Sequence, residues 1–208
     1  MILTLERGIY LASRSPRRRE LLAQIGVRYH LLLFRSRPGE TVDVDESTLG
    51  GETAEAYVER MARAKVEAGW QRMLQRNLPR APVLSADTTV SVDAKIFGKP
   101  ANREHAAEML GALSGRSHDV LTSVALKSDD WTECVVSRSE VRFKKLTPAE
   151  IAAYVESGEC DDKAGAYGIQ GRAGRFVIEL RGSYSGVMGL PLYETAQLLE
   201  KMHGRSPR

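Results

Sequence analysis

Apolar residues recur along the chain with two different periods. Over residues 103–113 the period is helical: Ala106, Met109, Leu110 and Leu113 share one face, Asn102 stands at the cap position and Gly115 ends the run. Thr147-Pro148-Ala149-Glu150 reads as a capping box with proline at the first helical position, opening a helix to about Ser157. Thr53 caps a helix predicted over 53–68, with Tyr57, Val58 and Met61 on one face, and a last helix runs from Leu192 to Met202. Strands are predicted at 8–13, 29–34, 82–92, 95–97, about 118–127, 131–143 and 175–181. Between the first two, Ser15, Pro16 and Gly26 mark the cap, first position and end of a short helix. The tail Gly204 to Arg208 is expected to fray. Strands alternate with helices, and the middle holds hairpin-like pairs, so the pattern predicts an α/β protein with a mixed sheet. Its cleft is expected where the first strand-turn-helix meets the 82–99 region.

Length and composition narrow this little. With 208 residues and 42% apolar side chains, the chain suits a single domain over 1–208, built as two closely packed lobes around a central cleft. No run reaches membrane-helix length and no secretory signal opens the sequence, so no membrane partner is expected. Cys134 and Cys160 lack metal-ligand spacing and suggest reduced thiols in a cytoplasmic protein. Charge is more informative in its distribution than in its net value of +3. Residues 1–37 hold eight arginines against Glu6 and Glu20, and residues 40–60 hold seven acids against Arg60. Adjacent basic and acidic blocks suit either a site that handles an anion with a divalent cation, or two solvated patches. They do not suit a nucleic-acid binder, which carries a general basic surplus.

The arrangement Ser13-Arg14-Ser15-Pro16-Arg17-Arg18-Arg19 places three arginines in the first turn of a helix. The positive end of the helix dipole disfavours cations there, so an anionic partner is implied. Other phosphate and nucleophile signatures are absent: no GxxxxGK[ST], GxGxxG, GxSxG or HExxH occurs. Lys65 falls on the apolar stripe set by Val58 and Met61, so it either snorkels or faces an anion. Asp87 interrupts an otherwise buried strand, where a bare carboxylate is costly. It is a metal ligand, a water-activating group or an ordinary strand-end aspartate. Lys99, in Gly98-Lys99-Pro100, ends the return strand and comes back toward it. Gly165, Gly168, Gly171 and Gly174 open a loop at intervals of three. In that loop Gln170 is able to read a base edge, and Tyr167 either stacks or packs.

Together these stretches resemble the Maf family of nucleoside triphosphate pyrophosphatases. LASRSPRRRELL resembles the opening signature of that family, and DVDES (Asp43 to Ser47) its acidic element. ERMARAKVEA resembles its lysine-bearing helix and SADTTVSVDAKIFGKP its central strand pair. DKAGAYGIQG and GSYSGVMGLPLYET resemble its closing blocks. The resemblance spans nearly the whole chain in the family order. It implies hydrolysis of a nucleoside triphosphate to the monophosphate and pyrophosphate, with magnesium or manganese, by an elongated mixed sheet with flanking helices. That fold is similar to inosine triphosphate pyrophosphatases and is commonly homodimeric. By position, Asp87 corresponds to the family's proton acceptor, and Arg17, Thr88 and Gln170 to its specificity positions. The DKAGAYGIQG form resembles the subgroup acting on dTTP and UTP, with clearance of non-standard nucleotides and a link to cell-division arrest as implied roles. Arg14, Ser85, Thr89 and Ala94 depart from the usual pattern.

Joined to that resemblance, the residues predict a specific site. Ser13, Arg17, Arg18, Lys65 and Lys99 hold the triphosphate, Glu46 and Asp87 hold the metal, and Asp87 activates water. Arg19 is expected in solvent, because one helical turn cannot aim three consecutive side chains at one point. The rival readings are a pyrophosphatase for a purine or modified nucleotide, and a division regulator that binds nucleotide with little catalysis.

Overall fold

In the computed structural model, described over residues 8–33, 44–129 and 131–204, the chain opens with β1 (Ile9–Leu11), α1 (Pro16–Gln24) and β2 (Tyr29–Leu31). It continues through α2 (Ala54–Gln75), β3 (Val83–Val92), β4 (Lys95–Phe97), α3 (Arg103–Leu113), β5 (Ser117–Ser128) and β6 (Trp131–Phe143). After α4 (Pro148–Glu156) come two 3₁₀ turns, Ala164–Ala166 and Arg172–Phe176, then β7 (Val177–Arg181), α5 (Tyr184–Met188) and α6 (Leu192–His203). Glu6, Arg7, Arg35, Arg37, Glu40 and Asp43 of the charge blocks, and the tail beyond Gly204, lie outside the described residues.

The caps explain several boundaries. The side chains of Thr53, Asn102 and Thr147 accept backbone N–H groups of the first turns of α2, α3 and α4, and Glu150 completes the expected capping box. α2 runs seven residues past position 68, because its buried stripe continues through Gly69, Trp70 and Met73. Residues 175 and 176 belong to a 3₁₀ turn rather than to the strand that follows. α5 has no counterpart in the sequence reading, since five residues are too short to show a period.

The sheet has strand order β2-β1-β3-β5-β6-β7, with β4 paired to β3. β1 is parallel to β2 and β3, and the β3–β5, β5–β6 and β6–β7 pairs are antiparallel, so the sheet is mixed. Side chains alternate across it. Leu84 and Ala86 of β3 pack with Leu21, Leu22, Leu198 and Leu199 of α1 and α6. Val83 packs with Ala62, Val66 and Trp70 of α2, and the Ser85 hydroxyl donates to the Ala62 carbonyl at 2.7 Å. Asp87, two residues on from Ser85, therefore points at the same helix. A third apolar cluster joins α3, α4 and the 3₁₀ turns around Phe143, Tyr154 and Phe176. Among the described residues, no helix is long and apolar enough to cross a membrane.

α2 packs close against the sheet at Gly69, where an added Cβ would lie 2.9 Å from both Ala12 Cβ and Val83 Cγ1. Gly69→Ala is expected to lower the melting temperature, because overpacking costs about 1–3 kcal/mol and outweighs the ~1 kcal/mol gain in helix propensity. Gly111 of α3 has nothing within 4 Å of the same position. Gly111→Ala is expected to raise the melting temperature, since only the propensity gain applies. Calorimetric melting of both variants checks the pair. Equal shifts would remove the close helix–sheet contact as the reason for the glycine.

Candidate active site

The C-terminal end of β1 delivers Ser13 to a turn in front of α1. Ser15 occupies the predicted cap position with extended backbone (φ −64°, ψ 119°), but its side chain does not cap the helix. Its own N–H donates to Ser13 Oγ at 3.2 Å. No acidic residue occupies the first turn of α1. The positive end of this helix thus receives neither a side-chain acceptor at its cap nor an acidic first-turn side chain, and it faces the cavity.

Arg18 is held by three separate elements. Its Nε donates to the Gly189 carbonyl at 2.7 Å, one Nη to Ser13 Oγ at 3.3 Å and the other to Thr88 Oγ1 at 3.3 Å. Burial pulls its guanidinium below the ordinary value, Asp87 and Glu46 pull it upward, and Arg17 adds to the lowering. Gly189 ends α5 with φ 116°, a left-handed conformation that suits glycine and turns its carbonyl toward Arg18.

Across the cavity, α2 and β3 bring Lys65 and Asp87 together. Lys65 Nζ lies 2.6 Å from Asp87 Oδ1 and 2.6 Å from Glu46 Oε1, and Lys99 Nζ lies 3.9 Å from Glu46 Oε2. Of the two sequence readings of Lys65, the structure places it against an anion. Asp87 is 9% exposed, so the ammonium neutralises a carboxylate that has little access to water. Burial pushes the Glu46 carboxyl upward, but the Lys65 hydrogen bond and charge, with Lys99 and Arg18, hold it below its ordinary value. The Tyr57 hydroxyl donates to the Glu46 carbonyl at 3.0 Å. Its pKa is pushed up to about 12 by burial and by the charges of Asp87 and Glu46.

The glycine loop forms the remaining wall. Gly165 has φ 67°, and a Cβ there would lie 2.7 Å from Val90 Cγ2, so the loop backbone packs directly on β3. Tyr167 packs rather than stacks on an exposed face. Its ring meets His118 and Phe143 edge-on, and its hydroxyl lies 2.8 Å from His118 Nε2. Burial lowers the His118 pKa to about 4, so the ring is neutral near pH 7. Gly168 N–H donates to the Tyr154 hydroxyl at 3.2 Å, and Gln170 beyond it is exposed.

These walls enclose a cavity of about 1000 Å³. The structure brings all nine predicted site residues to it: Ser13, Arg17, Arg18, Glu46, Lys65, Asp87, Thr88, Lys99 and Gln170. Arg14 also lines it, whereas Arg19 does not. Six cationic side chains (Arg14, Arg17, Arg18, Lys65, Lys99 and Lys163) face three acidic ones (Glu46, Asp87 and Asp162), a balance suited to a polyanion. Sequence reasoning missed Tyr57, Thr122 beneath Thr88, and the Gly189 carbonyl. Thr122 stood in plain sight as a polar residue inside Val120-Leu121-Thr122-Ser123-Val124, the same signal that marked Asp87.

The donor set also fits a small divalent cation. Magnesium binds through one or two carboxylates and completes its octahedron with water and phosphate oxygens. Glu46 and Asp87 converge closely enough to share one ammonium between them. Among the described residues no group of three or more His, Cys, Asp or Glu side chains converges on one point.

Known proteins share this chain's sequence over nearly its full length. A protein named dTTP/UTP pyrophosphatase from Aromatoleum aromaticum is 57% identical over 197 residues, covering 94% of this chain and 96% of that protein. Proteins of the same name from Nitrosomonas europaea and Nitrosospira multiformis are 55% and 54% identical, covering 93% and 94% of this chain and 93% and 95% of those proteins. Among solved structures, the Staphylococcus aureus Ham1 protein aligns with 95% of this chain and 99% of that one, at 13% identity and a TM-score of 0.46. The family model for Maf-like proteins matches residues 8–202, which takes in every element that builds the cavity. The chain therefore belongs to the Maf-like protein family.

Proposed function

We propose that the protein is a nucleoside triphosphate pyrophosphatase that hydrolyses dTTP and UTP to the monophosphate and pyrophosphate. The observation that carries this reading is the Asp87–Lys65–Glu46 constellation facing the arginine-lined turn of α1 across one cavity. The relatives named dTTP/UTP pyrophosphatase support the choice of substrates. The reading includes a cytoplasmic homodimer acting on free nucleotides rather than on nucleic acid.

In this reading the triphosphate lies against the N-terminus of α1, where backbone N–H groups, Ser13, Arg17 and Arg18 meet its oxygens. Lys65 and Lys99 approach it from α2 and from the segment after β4. Lys65 fixes Oδ1 of Asp87, so the second carboxylate oxygen orients a water and takes its proton. The water oxygen bonds to the α-phosphorus, the bridging oxygen to the β-phosphorus leaves with the electron pair of the broken bond, and pyrophosphate departs. Magnesium or manganese held by Glu46 and Asp87 would neutralise phosphate charge when bound. Gln170, exposed at the loop, offers an amide donor and acceptor to the base.

Asp87→Asn is expected to keep the fold and lower kcat by roughly 10²–10⁴-fold with dTTP, the effect of losing a general base. Pyrophosphate release at near wild-type rate would overturn the role of Asp87. Gln170→Ala is expected to change the order of preference among dTTP, UTP and GTP while altering kcat with the best substrate by less than about threefold, because it removes base contacts and leaves the phosphate site intact. A substrate panel with pyrophosphate detection reads this, and an unchanged order would argue against base readout by Gln170.

Lys65 stands between the two proposed metal ligands, so its charge competes with a divalent cation for them. Lys65→Met is expected to tighten Mn²⁺ binding to nucleotide-free protein by roughly tenfold or more, about 1.4 kcal/mol, since a nearby like charge is removed. Calorimetric titration with Mn²⁺ checks it, and unchanged affinity would separate Lys65 from the metal site.

A further inference from the structure

The antiparallel register of β3 and β5 places Thr88 directly opposite Thr122, and their hydroxyl oxygens lie 3.0 Å apart. Thr122 is fully buried. Its hydroxyl donates to the Gly186 carbonyl at 2.7 Å, which commits its only hydrogen. Thr88 must then be the donor in the Thr88–Thr122 contact, and its own hydrogen is also committed. The Thr88 oxygen accepts from Arg18 Nη2. The chain has one direction: Arg18 to Thr88, Thr88 to Thr122, Thr122 to the Gly186 carbonyl. The Arg18 Nε–H closes the loop on the Gly189 carbonyl, three residues further along the same segment.

We propose that Thr122 is a positioning residue for Arg18, and that Thr88 acts on the substrate through Arg18 rather than by donating a hydrogen bond to the base. With its hydrogen given to Thr122, the Thr88 hydroxyl has none to offer a pyrimidine carbonyl. Three of the five guanidinium N–H donors of Arg18 are held by Gly189, Ser13 and Thr88, which fixes the plane of the group and leaves two N–H donors for a ligand. Donors fixed in advance need no reorganisation when phosphate charge arrives. The circuit also ties three elements together at the cavity. α1 supplies Arg18, the β3–β5 pair supplies the threonines, and the segment from Gly186 to Gly189 supplies both carbonyl acceptors. Val187, Met188 and Gly189 of that segment line the cavity, so the geometry of this wall and the aim of Arg18 are set by the same bonds.

This inference rests on the proposed binding of a triphosphate at Arg18, and its test includes an arm that needs no turnover. Affinity for inorganic tripolyphosphate, measured by calorimetry, is expected to fall roughly tenfold in Thr122→Val, the loss of about one charge-assisted hydrogen bond. Thr122→Ser, which keeps the hydroxyl, is expected to recover most of that affinity. Arg18→Lys keeps a charge but cannot hold Thr88 and Gly189 in one rigid fork. In that background Thr122→Val is expected to change affinity by less than about twofold, because the two substitutions act on one interaction. With nucleotides, Thr122→Val is expected to lower kcat/KM for dTTP, UTP and GTP by a common factor and leave their order unchanged. The inference is overturned if the Thr122→Val loss is the same in the Arg18→Lys background, if Thr122→Ser fails to recover, or if the nucleotide order changes. Wild-type protein that binds tripolyphosphate but hydrolyses no nucleoside triphosphate would overturn the proposed activity, and the double-mutant cycle would still decide the role of Thr122. Wild-type protein that binds no tripolyphosphate would overturn both.

Discussion

A carboxylate in the middle of a buried strand has to be neutralised, and the pairing of Asp87 with Lys65 is the constraint around which the cavity is organised. An unpaired charge at 9% exposure would cost several kcal/mol. The partner comes from the only side of β3 that Asp87 faces, the helix α2, and it must come at the level where Ser85 already bonds Ala62. Three residues beyond Ala62, on the same helical face, is Lys65. The ion pair is therefore built into the helix–sheet packing, between the apolar contacts at Val58 and Met61 and those at Val66 and Trp70. Glu46 joins the same ammonium from a segment outside the sheet, and the Tyr57 hydroxyl holds the Glu46 backbone in place. A single buried charge thus gathers four residues from three parts of the chain.

The opposite wall solves the inverse problem, an excess of positive charge. Arginines in the first turn of α1 are each disfavoured by a few tenths of a kcal/mol by the helix dipole. An acidic residue there or a side-chain cap would relieve this, and the protein has neither. It instead fixes Arg18 in three hydrogen bonds and leaves Arg17 and Arg14 lining the cavity. In the proposed function, a triphosphate supplies the partner that the helix end lacks. The two walls complement each other: one presents fixed cations, and the other presents a carboxylate whose charge is already balanced by a lysine.

Much of this was legible in the sequence, for identifiable reasons. α3, with Asn102 at its cap, and the capping box of α4 follow from local patterns that depend on no distant residue. Lys65 and Asp87 stood out because each breaks an apolar pattern, and the structure pairs the two anomalies with each other. α2 continues past position 68 through Gly69, an intrinsically poor helix residue. Its value lies in the close approach to Ala12 and Val83, which only the packed fold reveals. The type and place of Ser15 predict a cap, but its side chain makes no cap bond and its N–H donates to Ser13 Oγ. The Thr88–Thr122 pair depends on strand register, and register is a property of two strands that neither sequence carries alone. α5 escaped notice for want of length, although it places the Gly189 carbonyl that orients Arg18.

The cavity combines fixed and adjustable parts, and their positions follow from packing. Gly165 lies against Val90, and Tyr167 is clasped by His118 and Phe143, so the loop is anchored to the sheet on its way in. Gly168 adds a further tie through Tyr154. Only beyond these anchors does the chain emerge at Gln170, where the side chain is exposed and unconfined by the core. Asp87, Arg17, Arg18 and Lys65, by contrast, sit on β3, α1 and α2, whose inner faces are buried in the apolar clusters. Groups with fixed geometry thus lie on the sheet and its helices, while the loop contributes an exposed side chain at Gln170. Under the proposed function, that division lets the exposed residue at position 170 vary without moving the carboxylate, the lysine or the arginine fork.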